Sequence, residues 1–100
     1  MKRNWKKEEL EQQWTVFALE QELLKGRTGP TRLGFAVLMK FFQVEGRFPE
    51  TSREVPKEVV RFIADQLGLS HKAWREYPWG KRTSTYHRDE IREFFGYRGF

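Results

Sequence analysis

The chain has 100 residues, a length that suits one domain with one modest core. Lys and Arg total 19 against 14 Asp and Glu, so 19 − 14 gives +5 and makes a polyanion the first partner to consider. Aromatics at 16% exclude a disordered basic tail, zero Cys excludes a disulfide scaffold, a thiolate zinc site and a Cys nucleophile, and no apolar run is long enough to span a membrane.

The chain opens on Met1-Lys2-Arg3-Asn4-Trp5-Lys6-Lys7 with no apolar stretch after it, so it does not read as a signal peptide. Gly and Pro then divide the sequence into helices, with alternating strand patterns almost absent. A first helix is expected over 7–14, where Leu10 and Trp14 share a face and Glu8, Glu9, Glu11 and Gln12 look outward. A second is expected over 17–25, with Leu19, Leu23 and Leu24 apolar and Gly26 as its stop. Gly29-Pro30-Thr31 reads as a break and restart.

The third helix, over 31–45, should be central. Between Leu33 and Val44 its only charged residue is Lys40, and a helix apolar on nearly every side is buried on every side. A fourth is expected over 56–67, with Pro56 at its first position and Val59, Val60, Ile63 and Leu67 facing inward. Ser70 can cap a fifth over 71–77, which Pro78 ends. A sixth over 85–95 carries His87, Ile91, Phe94 and Phe95 along one side, and Gly96 closes it. The expected fold class is therefore all-α, a compact bundle of five or six short helices around a buried central one.

Ala64, Gly68, Leu69 and Ser70 carry a helix-turn-helix pattern. A small residue lets a second helix cross closely, the Gly supplies a left-handed turn, and the apolar residue pins that turn to the core. Any two packed helices joined by a Gly turn share this pattern. Charge adds a second signal. Residues 71–88 hold Lys72, Arg75, Lys81, Arg82 and Arg88 against Glu76 alone, so 5 − 1 gives +4. A local cation excess is what phosphate binding needs, because released counterions supply the affinity. Thr83, Ser84 and Thr85 add hydroxyls beside the start of the sixth helix, whose free amides favour an anion. A solvated basic face without a partner is the alternative. His87, Asp89 and Glu90, to which His71 could add, suggest a metal or catalytic cluster, but the first two are two apart and point different ways on a helix, so His87 reads as a partly buried, hydrogen-bonded core residue. Trp79 sits in a turn within the basic stretch and either stacks on nucleic acid or folds back onto the core.

Arg32-Leu33-Gly34-Phe35-Ala36, Gly46-Arg47-Phe48-Pro49, Val55-Pro56-x-Glu58-Val59-Val60 and Gln66-Leu67-Gly68 occur in this order. Arg82-Thr83, His87, Glu90-Ile91 and Gly96-Tyr97-Arg98 follow. The ordered set, over roughly residues 5 to 100, resembles the N-terminal segment of the large replicative transposases of the Tn-three family. Lys6-Lys7-Glu8-Glu9 and Phe17-Ala18 stand where that family commonly opens its first helices with Thr-Pro-Glu-Glu, and Gly99 stands where Pro is common. The resemblance implies a non-catalytic module of a much longer bacterial, cytoplasmic and nucleoid-associated enzyme. Such a module recognises terminal inverted repeats, and the metal-dependent catalytic domain lies far downstream. Expected partners are double-stranded DNA and the rest of the transposase, with self-association as a further possibility; no cofactor, no metal and no membrane are expected.

From charge and position, Lys72 and Arg75 are expected to face a groove, with Arg75 the better base reader. Lys81, Arg82, Thr83 and Thr85 are expected to hold the phosphate backbone, with Arg88 beside them. Arg32 reads as a contact or a structural pair. An assembly module would instead need an exposed apolar patch, which Trp5, Trp74 and Trp79 could supply.

Overall fold

The computed structural model describes residues 2–96. In chain order it holds α1 (Lys7–Gln13), α2 (Ala18–Glu22), α3 (Gly29–Glu45), a 3-10 turn (Ser52–Glu54), α4 (Lys57–Leu67), a 3-10 segment (His71–Glu76) and α5 (Arg82–Phe94). No strand occurs among the described residues, and the all-helical bundle around a central helix is the fold. The motif residues Tyr97 and Arg98, and Gly99, lie outside the described residues.

The middle of α3 is buried without interruption from Leu33 to Phe42, because α4, α5 and the 3-10 segment 71–76 all pack against it. The exception to its apolar character is resolved by pairing. Lys40 is 2% exposed and places Nζ 3.1 Å from Oε1 of Glu20, itself 6% exposed. Gln43 donates to the other carboxylate oxygen at 2.5 Å, and Oε1 also accepts the Phe17 amide at 2.9 Å. A buried ammonium persists only where a carboxylate and further hydrogen bonds compensate its lost water. Glu20 thus does two tasks, closing the first turn of α2 and neutralising the central helix.

The helix starts at Lys6-Lys7 and Phe17-Ala18 follow one logic. Glu9 reaches back to the Lys6 amide at 2.9 Å, as Glu20 does to Phe17, so each carboxylate satisfies a free donor at its helix N-terminus. Gln66 ties the connection between these two helices to α4. Its Oε1 accepts the Val16 amide at 2.8 Å and its Nε2 donates to the Trp14 carbonyl at 3.1 Å. The Trp14 side chain is fully buried, edge-on to Trp5 with ring centroids 5.5 Å apart.

Several expected boundaries change. α3 begins at Gly29, so Gly29-Pro30-Thr31 opens the helix rather than interrupting the chain; Pro is tolerated in a first turn because no intrahelical amide bond is lost there. Pro56 precedes α4 as its cap. α2 stops at Glu22, short of Lys25. Residues 71–76 form a 3-10 segment, not an α-helix. The stretch is too short between the Gly68 turn and Pro78, and Tyr77 is held extended (ψ 131°) ahead of that proline. α5 begins at Arg82, three residues before the expected start at Thr85.

The turn at Gly68 has the expected form. Its φ is +69°, the Leu69 amide donates back to the Ala64 carbonyl at 2.9 Å, and Ser70 Oγ accepts the Lys72 amide at 3.2 Å.

Candidate nucleic-acid interface

Lys72 and Arg75 project from the 3-10 segment, and Lys81, Arg82 and Thr85 from the start of α5; all five are exposed. None of the four cations pairs with a described carboxylate. Thr83 is half-buried. Ser84 is buried and donates its hydroxyl to the Lys81 carbonyl at 2.9 Å, so the expected trio of free hydroxyls ahead of a helix is instead the first turn of α5 with one member turned inward. Arg88 is half-buried, its guanidinium 5.9 Å from the Phe48 ring centre. Its Nε is buried with no partner among the described residues, and the same holds for Nε of half-buried Arg32. Trp79 folds back onto the core, edge-on to Trp74 and Tyr77 at 5.4 and 5.6 Å.

The three residues considered as a metal cluster go to separate partners. His87 is buried and its Nδ1 lies 2.7 Å from the Tyr77 hydroxyl. Burial pushes the imidazole down to about 4, aided by the nearby Arg27 charge, and pushes the Tyr77 phenol up. Both groups are therefore neutral near pH 7, and in the Nε2–H tautomer the phenol donates to the ring. Glu90 pairs with Arg27 at 2.5 Å and Asp89 with Arg92 at 3.3 Å. Arg27 also lies over Phe35, 4.1 Å from its centre, so it joins the last helix to the central one.

The apolar patch expected from Trp5, Trp74 and Trp79 does not form. Trp74 is 8% exposed, and Trp5 and Trp79 are half-buried against the core. The large apolar side chains that do face water include Phe17 (58% exposed) and Leu19 (76%) at the start of α2.

A basic cleft was not legible as a unit in the sequence. Arg75 and His71 line it together with Arg3, Arg53, Lys57 and Arg61, and its volume is 460 Å³. Lys57 and Arg61 are one turn apart on α4, Arg53 comes from the 3-10 turn, and Arg3 from the extended N-terminal segment. The Arg3 guanidinium donates to the carbonyls of Glu54 at 2.9 Å and Arg53 at 3.5 Å, which fastens that segment across the 3-10 turn. The i, i+4 pair Lys57/Arg61 was the one local signal available.

A family model described as a domain of unknown function, DUF4158, matches residues 1–100. The chain belongs to the DUF4158 family. Among curated relatives it is similar to the transposase for transposon Tn3926 of Escherichia coli, 28% identical over 95 residues, covering 94% of this chain and 10% of the relative. It is likewise similar to the transposase for transposon Tn21 of Escherichia coli, 27% identical over 95 residues, with coverage of 94% and 10%. The transposase for transposon Tn1546 of Enterococcus faecium is 32% identical over 77 residues, with coverage of 76% and 8%. The chain therefore spans about a tenth of the length of these relatives, in their N-terminal part, and the family resemblance drawn from the sequence stands. No solved structure matches the chain. No helix among the described residues is long and apolar enough to cross a membrane.

Proposed function

We propose that this DUF4158 module binds duplex DNA at the terminal inverted repeats of a transposon and so positions a transposase active site carried elsewhere in the longer protein. The supporting observation is the set of exposed cations Lys72, Arg75, Lys81 and Arg82, none neutralised by a described carboxylate, in a chain whose relatives are transposases. Unpaired surface cations can neutralise phosphates and so release the counterions condensed along the DNA backbone. Lys72 and Arg75 follow the Gly68 turn, the place where a helix-turn-helix presents its reading residues, and Arg75 carries the fork that matches a guanine edge. Lys81, Arg82, Thr83 and Thr85 supply backbone contacts. Arg88 takes a lesser part, since its guanidinium already lies near Phe48. The module's contribution is position, with no bond made or broken in it.

A gel shift at graded salt tests this reading, with inverted-repeat duplex against scrambled duplex. Binding to both that weakens steeply with salt, and a preference for the repeat, is the expected result. Absence of a shift on either duplex at low salt overturns it.

A second reading, assembly with another segment of the transposase, is favoured by the exposed Phe17 and Leu19. Its occupant would lie in the roughly nine-tenths of the relatives' length that this chain does not span. Binding of a separately produced remainder of the protein, lost in Phe17→Ser/Leu19→Ser, would support it; binding that survives those substitutions rejects it.

A further inference from the structure

The six basic side chains of the cleft, Arg3, Arg53, Lys57, Arg61, His71 and Arg75, are all exposed, and no carboxylate is among the described residues that line it. The ion pairs among the described residues use none of them. Glu54, the acid adjacent to Arg53 in the chain, is occupied elsewhere. It pairs with Arg47 and accepts the Glu50 amide, and both contacts hold its carboxyl below the ordinary value. Five permanent cations therefore share one concavity without internal compensation, an arrangement that concentrates a positive potential.

The remaining lining narrows the ligand. Val55, Val60 and Trp74 also line the cleft and give it an apolar part beside its cations. A free phosphate needs no such surface. A sugar–phosphate backbone alternates an anionic group with a largely apolar deoxyribose, and it would fill both parts of the lining at once. Continuity points the same way, since His71 and Arg75 belong to the 3-10 segment that also carries Lys72.

We propose that this cleft seats a stretch of the sugar–phosphate backbone of duplex DNA, with Lys57, Arg61, Arg53 and Arg3 as phosphate contacts. It rests on the DNA-binding reading above and extends that surface from the 71–88 stretch onto α4 and the N-terminal segment. The contacts are independent of base sequence, because they reach phosphate and sugar only.

The test uses the 100-residue chain and fluorescence anisotropy at graded salt, with inverted-repeat and scrambled duplexes. Lys57→Gln/Arg61→Gln should weaken binding to both duplexes by the same factor, roughly tenfold or more near ~0.1 M salt, and make the salt slope shallower by about two. The charge-conserving Lys57→Arg/Arg61→Lys should retain the wild-type slope. Wild-type binding with an unaltered slope in the Gln variant overturns the cleft and leaves the DNA reading intact. A wild-type chain that binds neither duplex overturns both. An equal loss in the charge-conserving variant makes the effect structural and also overturns the cleft. Sodium pyrophosphate supplies the last arm: if the Gln variant loses pyrophosphate binding but keeps its duplex affinity, the cleft is a free-phosphate site and the proposal fails.

Discussion

The ring of Tyr77 packs against Gly34, so close that a Cβ on Gly34 would stand 1.9 Å from Cδ1 of Tyr77. This contact lets the chain at the end of the 3-10 segment 71–76 pack onto the central helix. The Tyr77 ring cannot easily retreat, because Trp74 stacks at 5.9 Å, Trp79 meets it edge-on at 5.6 Å and His87 holds its hydroxyl. Gly34→Ala gains about 1 kcal/mol of helix propensity but forces this aromatic group apart, a larger loss. A net destabilisation of about 2 kcal/mol is expected, read as a Tm lower by roughly 10 °C. A melt at or above wild type would show that the ring has room to move.

Lys40 and Glu20 make the next prediction. Lys40→Met removes the ammonium and leaves a buried carboxylate held only by Gln43 and the Phe17 amide, at a cost of about 3–5 kcal/mol. Adding Glu20→Gln discharges that site and keeps an acceptor for the Phe17 amide. Urea denaturation should find the double variant clearly more stable than the single one. A double variant as weak as or weaker than the single would mean that the carboxylate's charge is not the source of the loss.

His87 predicts an acid dependence. Its imidazole titrates at about 4 when folded and near 6.5 when unfolded, so the unfolded chain takes up this proton first as pH falls. The contribution is complete above about pH 6.5 and is lost as pH drops toward 4. The gap amounts to roughly 3 kcal/mol at most. Glu9 and Glu54, both held below their ordinary value, add losses only further into acid. The diagnostic interval is therefore pH 6.5 to about 4.5, where His87→Gln should flatten the decline in Tm. A decline of equal steepness in that variant would assign it to other groups.

Arg82→Ala should weaken binding to every duplex alike and make the salt slope shallower by about one. Unchanged binding removes Arg82 from the interface. Arg75→Ala should instead narrow the gap between inverted-repeat and scrambled duplex by roughly ten- to a hundredfold, the worth of a bidentate base contact. An equal loss on both makes Arg75 one more backbone contact in the cleft.

The central helix was legible because ten consecutive buried positions, Leu33 to Phe42, admit almost nothing polar, while the partner of its lone Lys40 was not sought in the sequence. Glu20 escaped notice because a Glu in a short polar helix ordinarily faces water. The start of α5 was misplaced because Thr83-Ser84-Thr85 favours caps and turns; here Ser84 turns its hydroxyl back to the Lys81 carbonyl and lets the helix begin earlier. His87 was recognised as a hydrogen-bonded core residue, while its partner Tyr77 depended on tertiary packing. The cations of 71–88 were visible as a run. Those of the cleft were not, since Arg3 comes from the N-terminal segment, Arg53 from the 3-10 turn and Lys57 and Arg61 from α4, and residues 1–26 balance to zero with five basic and five acidic side chains.

The strap formed by Arg3 bears on how the protein is handled. Its two bonds to the Arg53 and Glu54 carbonyls, with the Trp5 indole donating to the Lys2 carbonyl at 2.9 Å, make the opening residues a working part of the molecule. Trimming them to tidy an expression clone, or burdening them with a bulky affinity tag, would strip one wall cation and loosen the loop beneath it. A purification handle belongs at the opposite terminus.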